Sequence, residues 1–109
     1  MDIAHVVCNV FESIPEHFDD EIVDCLLENK QLKIERIVSK GHTSPPSGWY
    51  DQEQDEWVIV LKGGAIIAFE DGVEVTLAAG DSLSIAAHFR HRVKWTDPEQ
   101  ETVWLAVHY

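Results

Sequence analysis

Basic residues are scarce in this chain: eight lysines and arginines stand against twenty aspartates and glutamates, a formal net charge of −12. Phosphate backbones and anionic lipid surfaces are repelled by such a field, which argues against a nucleic-acid or membrane partner. Cysteine is scarcer still, with Cys8 and Cys25 alone. Neither has metal-type spacing, and a small secreted domain stapled by disulfides would carry more. Two buried or inert thiols in a reducing cytoplasm are expected. No hydrophobic run approaches membrane-spanning length. The opening MDIAHVVCNVF has neither a basic n-region nor an apolar stretch suited to a signal peptide, so a cytoplasmic location is expected. Also missing are a phosphate-binding glycine loop, a nucleophile elbow and a paired-carboxylate glycosidase motif.

What remains is the material of a globular domain. The 109 residues suffice for one core and not for two, and 45% of them are hydrophobic, so one domain spanning 1–109 is expected. The N-terminal third reads two ways. Ile22, Val23, Leu26 and Leu27 have helical spacing behind the acidic Asp19-Asp20-Glu21 start. The same stretch also reads as a strand, followed by the turn ENKQ and the alternating LKIERIVS. A hairpin is favoured over a short helix.

From Gly41 the pattern changes. GHTSPPSGWYDQEQDE carries the Pro45-Pro46 pair between Gly41 and Gly48 and reads as a shaped connection. Short β-rich runs follow: WVIVLKG, AIIAFE ending at Asp71-Gly72, VEVTLAA ending at Gly80-Asp81, SLSIAAH, FRHRVKW and TVWLAVHY. Such runs, with turn signals and no helices between them, predict an antiparallel all-β sandwich or barrel. In FRHRVKW, alternation places Phe89, His91, Val93 and Trp95 on one face and Arg90, Arg92 and Lys94 on the other. A lone histidine on an apolar face is more often a core residue than a ligand, and its setting has to change that prior.

Two spacings do so. Glu56 is followed by six residues and Gly63, and Gly80 is followed eleven residues later by His91. With the short Asp-Gly hairpin between them, this order resembles the cupin family, whose motifs read G-x5-H-x-H-x3-4-E-x6-G and G-x5-P-x-G-x2-H-x3-N. Ala86 stands at the proline position, His88 at the second glycine position, His91 at the histidine and Trp95 at the asparagine. The resemblance covers roughly 32–109, leaving 1–31 as an N-terminal extension packing on the barrel. It implies an antiparallel double-stranded β-helix, the jelly-roll barrel of the small single-domain RmlC-like members, and a homodimer.

The resemblance also implies a metal held by the two motif-one histidines, the glutamate and the motif-two histidine. Here the second motif-one histidine position falls on Asp51 or Gln52 and the first on Trp49 or Tyr50, so both histidines are absent. Glu56, His91 and Asp51, or Gln52 in its place, form the remaining candidate metal set, suited to a divalent Fe, Mn, Zn or Ni ion. Strand parity separates the versions: Asp51 inward brings Trp49, and Gln52 inward brings Tyr50. Asp51 is slightly favoured. Trp49, Tyr50, Gln52 and Trp95 are candidate pocket residues for a small organic ligand, and Tyr50 or His88 candidates to move a proton. The resemblance suggests a dioxygenase or an isomerase. Against this stand a metal-free Glu56–His91 pair with no catalytic role and a binding or dimerising domain with a degenerate site. His42 in the Gly-Pro loop reads as a surface residue, and His108 as part of an edge strand.

Overall fold

The computed structural model describes residues 7–109; the first six residues of the N-terminal extension lie outside the described residues. Eight strands make up its regular structure: β1 (Ile22–Glu28), β2 (Lys33–Ser39), β3 (Glu56–Lys62), β4 (Gly64–Phe69), β5 (Glu74–Ala78), β6 (Ser82–Ile85), β7 (His91–Thr96) and β8 (Thr102–His108). They form a five-stranded sheet in the order β1-β2-β8-β3-β6 and a three-stranded sheet in the order β5-β4-β7, with every pairing antiparallel. This is the antiparallel all-β architecture that the short β-rich runs predict, in the jelly-roll form that the family resemblance implies.

The N-terminal ambiguity resolves to a hairpin. Residues 22–28 are a strand paired with β2, with a bulge between Cys25 and Leu27. Asn29 closes the turn, its side-chain oxygen accepting from the backbone N–H groups of Gln31 and Leu32. The helical alternative fails because a long-range ladder satisfies more backbone groups than an isolated turn of helix. Cys25 and Cys8 are both free and exposed, which removes burial from the expectation of buried or inert thiols.

The core lies between the sheets, where Val58, Val60, Ala65, Ile67, Phe69, Leu77, Ile85 and Trp104 form one cluster. Each comes from the inward parity of its strand, and full burial of such side chains contributes about 1.5–3 kcal/mol apiece. Residues 7–21 have no regular structure and are tied to the sheet by side chains. The buried Arg36 donates from Nη1 to the carbonyls of Glu12 (2.6 Å) and Val10 (3.3 Å) and pairs with Asp24. His42 is part of this anchor rather than a free surface residue. It stacks on Phe18 with ring centroids 5.3 Å apart, and its Nε2 lies 2.9 Å from the Asp19 carbonyl oxygen.

One face assignment changes. His91 and Val93 point inward as alternation requires, but the β4–β7 register shifts so that Ile67 pairs with Val93 and Ile66 with Trp95. The extra residue, Lys94, is a bulge, and a bulge reverses the parity of everything after it. Thr96 is therefore buried at 1% exposure, and Trp95 turns outward at 41%.

Candidate functional site

Glu56 opens β3 in the larger sheet and His91 opens β7 in the smaller one, so the two meet across one end of the barrel. His91 Nε2 lies 3.7 Å from Glu56 Oε1, an ion-pair rather than a hydrogen-bond distance. His91 Nδ1 donates to the Phe89 carbonyl at 2.9 Å, which fixes the ring and leaves Nε2 as the working nitrogen. Gln52 Nε2 donates to the same Glu56 oxygen at 2.7 Å. Tyr50 is bridged to His91 by two backbone hydrogen bonds of 2.8 and 3.2 Å, and its ring sits 5.7 Å from the imidazole.

These four residues line a cavity of about 220 Å³. Its inner wall is apolar, built from Ile37, Val58, Ile67, Ile85 and Trp104. Its polar lining holds a second imidazole–carboxylate pair: His108 Nε2 is 2.9 Å from Glu35 Oε1, and Glu21 lines the same space while accepting from Ser39 Oγ. Sequence reading missed Glu21, Glu35 and His108. His108 belongs to a central strand, between β2 and β3, and is the register partner of Glu56. The signal was present in the inward series Trp104, Ala106, His108, but it becomes legible only once β8 is known to be interior.

Electrostatics bind the first pair together. Burial raises the Glu56 carboxyl, but the His91 imidazole, the Gln52 amide and the charge of His108 outweigh it and hold the group below its ordinary value. For His91, burial disfavours the cation, while the Glu56 carboxylate and the Phe89 carbonyl raise the group above its ordinary value. Glu56, with its depressed folded value, contributes stability above its unfolded value near 4.5 that is lost as pH falls through the folded value. His91 contributes stability below its unfolded value near 6.5 that is lost as pH rises through the folded value. The pair therefore stabilises most between those two values. Urea melts across pH should show Glu56→Gln removing the decline of the wild type above pH 6.5 that comes from His91. An unchanged alkaline limb in the variant would show that the pair is not coupled.

The structure does not bring the remaining predicted residues to this cavity. The parity at residues 49–52 is the Gln52–Tyr50 version. Asp51 is turned outward, bonded to His88 Nδ1 at 2.6 Å and to Arg90 Nε at 3.2 Å. Those contacts hold the Asp51 carboxyl below its ordinary value, the His88 hydrogen bond foremost. His88 is itself 64% exposed in its side chain, so it does not reach the cavity to move a proton. Trp49 lies over the Arg92 guanidinium, 4.8 Å from it, beside a separate surface cleft. Trp95 is turned out by the bulge. Among the described residues, no group of three or more His, Cys, Asp or Glu side chains is placed to hold a metal ion. The three-donor set built on Asp51 does not form. Gln52 does line the cavity beside Glu56 and His91, but with its amide donating to Glu56. Only two of the four donors that the family pattern implies are therefore present, and the residues do not fit that metal site.

The two sheets, the spacing of Glu56 and His91 and the cavity between them define a small antiparallel β-barrel of the jelly-roll class. A family model described as "Cupin domain" matches residues 35–108, and the chain belongs to the cupin family. It is similar to a solved protein from Ralstonia eutropha JMP134 whose printed description is "putative mannose-6-phosphate isomerase". That protein is 51% identical, with 94% of this chain and 96% of that one covered and a TM-score of 0.90. An RmlC-like cupin from Desulfovibrio desulfuricans shares the fold at 15% identity, with 94% and 95% covered and a TM-score of 0.73. A Streptococcus pyogenes protein of unknown function shares it at 20% identity, with 95% and 86% covered and a TM-score of 0.74. No curated protein matches the chain.

Proposed function

We propose that this cupin binds a small organic molecule in the barrel cavity and moves a proton on it through His91, with Glu56 as the partner of the imidazole. The observation that carries this reading is the buried His91–Glu56 pair on the wall of an otherwise apolar cavity. With Nδ1–H committed to the Phe89 carbonyl, a neutral His91 presents the Nε2 lone pair as a base. When Nε2 takes a proton from a ligand C–H or O–H, the imidazolium formed faces the Glu56 carboxylate, which stabilises it. Gln52 holds that carboxylate in place by occupying one of its lone pairs. Return of the proton to a neighbouring atom completes an isomerisation, the reaction class in the Ralstonia protein's description.

The scheme routes every step through the chain's own residues. A homodimer belongs to the same reading: edge strand β1 leaves Leu26 and Leu27 about half exposed, at 48% and 55%. The test is hydrogen–deuterium exchange at the α-carbon of small hydroxy-carbonyl compounds, glyceraldehyde and mannose among them, followed by NMR in D2O. Wild type stripped of metal by chelator is expected to catalyse exchange, and His91→Gln and Glu56→Gln to lose about a hundredfold of it. Exchange that vanishes on chelation, or that survives His91→Gln, would overturn the reading.

A further inference from the structure

We propose that His108 is a second catalytic residue of this cavity, moving a proton between the two oxygens of a hydroxy-carbonyl substrate. The proposal rests on the proton-transfer reading of His91, which serves the carbon and leaves the oxygens without a carrier. His108 reaches the cavity from β8 of the five-stranded sheet and His91 from β7 of the three-stranded sheet, so the two imidazoles line it from different walls. Glu56 connects them. Its Oε1 lies 3.7 Å from His91 Nε2, and its register partner across the β3–β8 ladder is His108. The neighbouring pair, Asp55 and Tyr109, exchanges two backbone hydrogen bonds of 3.0 and 2.9 Å. Glu56 and His108 are therefore a non-hydrogen-bonded pair, the type whose side chains stand closer together.

The contacts of His108 are those of an oriented acid–base group. Its Nε2–H donates to Glu35 Oε1 at 2.9 Å. The other oxygen of that carboxylate, Oε2, lies 3.5 Å from Lys33 Nζ, so Glu35 is held from both sides. Nδ1 of His108 has no hydrogen-bond partner among the described residues, which leaves it as the nitrogen that can carry a proton. The arrangement repeats that of His91 with the nitrogens exchanged. His91 is fixed through Nδ1 and works through Nε2, whereas His108 is fixed through Nε2 and works through Nδ1.

Interconversion of a 2-hydroxyaldehyde and its hydroxyketone moves two protons, one between carbons and one between oxygens. His91 Nε2 takes the proton of the hydroxyl-bearing carbon, and the C–H electron pair becomes the C=C bond of an enediol. The carbonyl π pair moves onto its oxygen, which takes the Nδ1 proton of protonated His108. Neutral His108 then takes the proton of the other hydroxyl, whose O–H pair forms the new carbonyl. The C=C pair takes back the proton held by His91 at the adjacent carbon. Both imidazoles end as they began, and no oxidant or reductant is consumed. Each imidazolium faces a carboxylate, that of Glu56 for His91 and that of Glu35 for His108.

The substrate is then a small molecule with oxygens on adjacent carbons. Oxygen acceptors are also what the buried Trp104 indole N–H lacks, since this cavity-lining side chain has no hydrogen-bond partner among the described residues. A buried donor of this kind is costly unless something in the occupied state accepts from it.

Glyceraldehyde in D2O is the probe, with two rates followed by NMR: deuterium entry at its hydroxyl-bearing α-carbon and formation of dihydroxyacetone. His108→Gln keeps an N–H donor for Glu35 but has no proton to transfer. It is expected to lose about a hundredfold of isomerisation and less than about tenfold of exchange, so the ratio of the two rates falls about tenfold or more. His91→Gln should lower both rates together. Glu35→Gln, at the residue that positions His108, should lower the ratio in the same direction by a smaller factor, and it carries the test if His108→Gln does not fold. A folded His108→Gln or Glu35→Gln variant that keeps the wild-type ratio would overturn the assignment of His108 and leave His91 in place. A wild type that catalyses no exchange would overturn both readings together.

Discussion

Gly63→Ala is expected to cost about 3 kcal/mol or more, the sum of a left-handed backbone penalty and a steric clash. Gly63 ends the run that begins at Glu56 and turns the chain from β3 of one sheet into β4 of the other. Its φ of +86° lies in the left-handed region, where an L side chain is strained. An added Cβ would sit 2.4 Å from Thr102 Oγ1, 2.7 Å from the Glu101 carbonyl oxygen and 2.7 Å from Thr102 Cα. Two of these are backbone atoms that cannot swing aside, and Thr102 is fully buried at 0% exposure. The Thr102 hydroxyl is also committed, donating to the Gly64 carbonyl at 3.1 Å and accepting from the Gly64 N–H at 3.2 Å. Thermal denaturation should show a fall of roughly 12 °C or more for a domain of this size. A loss under 1 kcal/mol would mean that the β3–β4 junction is freer than its geometry implies. The glycine that closes the Glu-x6-Gly spacing is thus a packing requirement of the sheet crossover, independent of any chemistry at Glu56.

The same kind of reason explains His88. It stands where the family pattern has a glycine, and its φ is +62°, a conformation that histidine tolerates better than a branched residue does. Its backbone N–H donates to the Gln52 carbonyl at 2.8 Å, and its ring binds Asp51. The turn is kept by local bonds instead of by glycine's freedom, and those bonds hold Asp51 away from the cavity.

Legibility in the sequence followed the range of the interactions involved. Strands β3 to β8 were readable because alternation and turn residues are local, and Glu56 and His91 were readable because their spacing to Gly63 and Gly80 is local as well. What failed depended on neighbours in space. The Lys94 bulge, set by pairing with β4, moved Trp95 outward. The choice between Asp51 and Gln52 turned on the Tyr50–His91 bridge, a contact across 41 positions that no single-strand pattern encodes. Glu35 and His108 are 73 positions apart and meet only because β8 lies between β2 and β3. The metal set that the family resemblance implied gave way to two imidazole–carboxylate pairs because strand order decides which side chains share the cavity.

Arg36→Met is expected to cost about 2–3 kcal/mol and to release the segment ahead of β1. Methionine preserves the packing of the arginine stem but removes every donor, so the carbonyls of Val10 and Glu12 and the Asp24 carboxylate lose their partner. The cost is that of unpaired acceptors rather than of the ion pair itself, because the Asp24 side chain is 43% exposed and water can replace its share. Asp24→Asn should accordingly cost under about 1 kcal/mol. Limited proteolysis distinguishes the two variants. Cleavage within residues 7–20 should accelerate in Arg36→Met and stay near the wild-type rate in Asp24→Asn. Equal rates in all three proteins would show that the Phe18–His42 stack and the Asp19 contact hold the segment without the guanidinium. The outcome bears on function, because Glu21 and Val23 follow directly on this segment and form part of the cavity wall. Loosening it should reduce ligand affinity without touching His91 or Glu56. The N-terminal extension, the stretch least readable from sequence, would then be a structural part of the binding site.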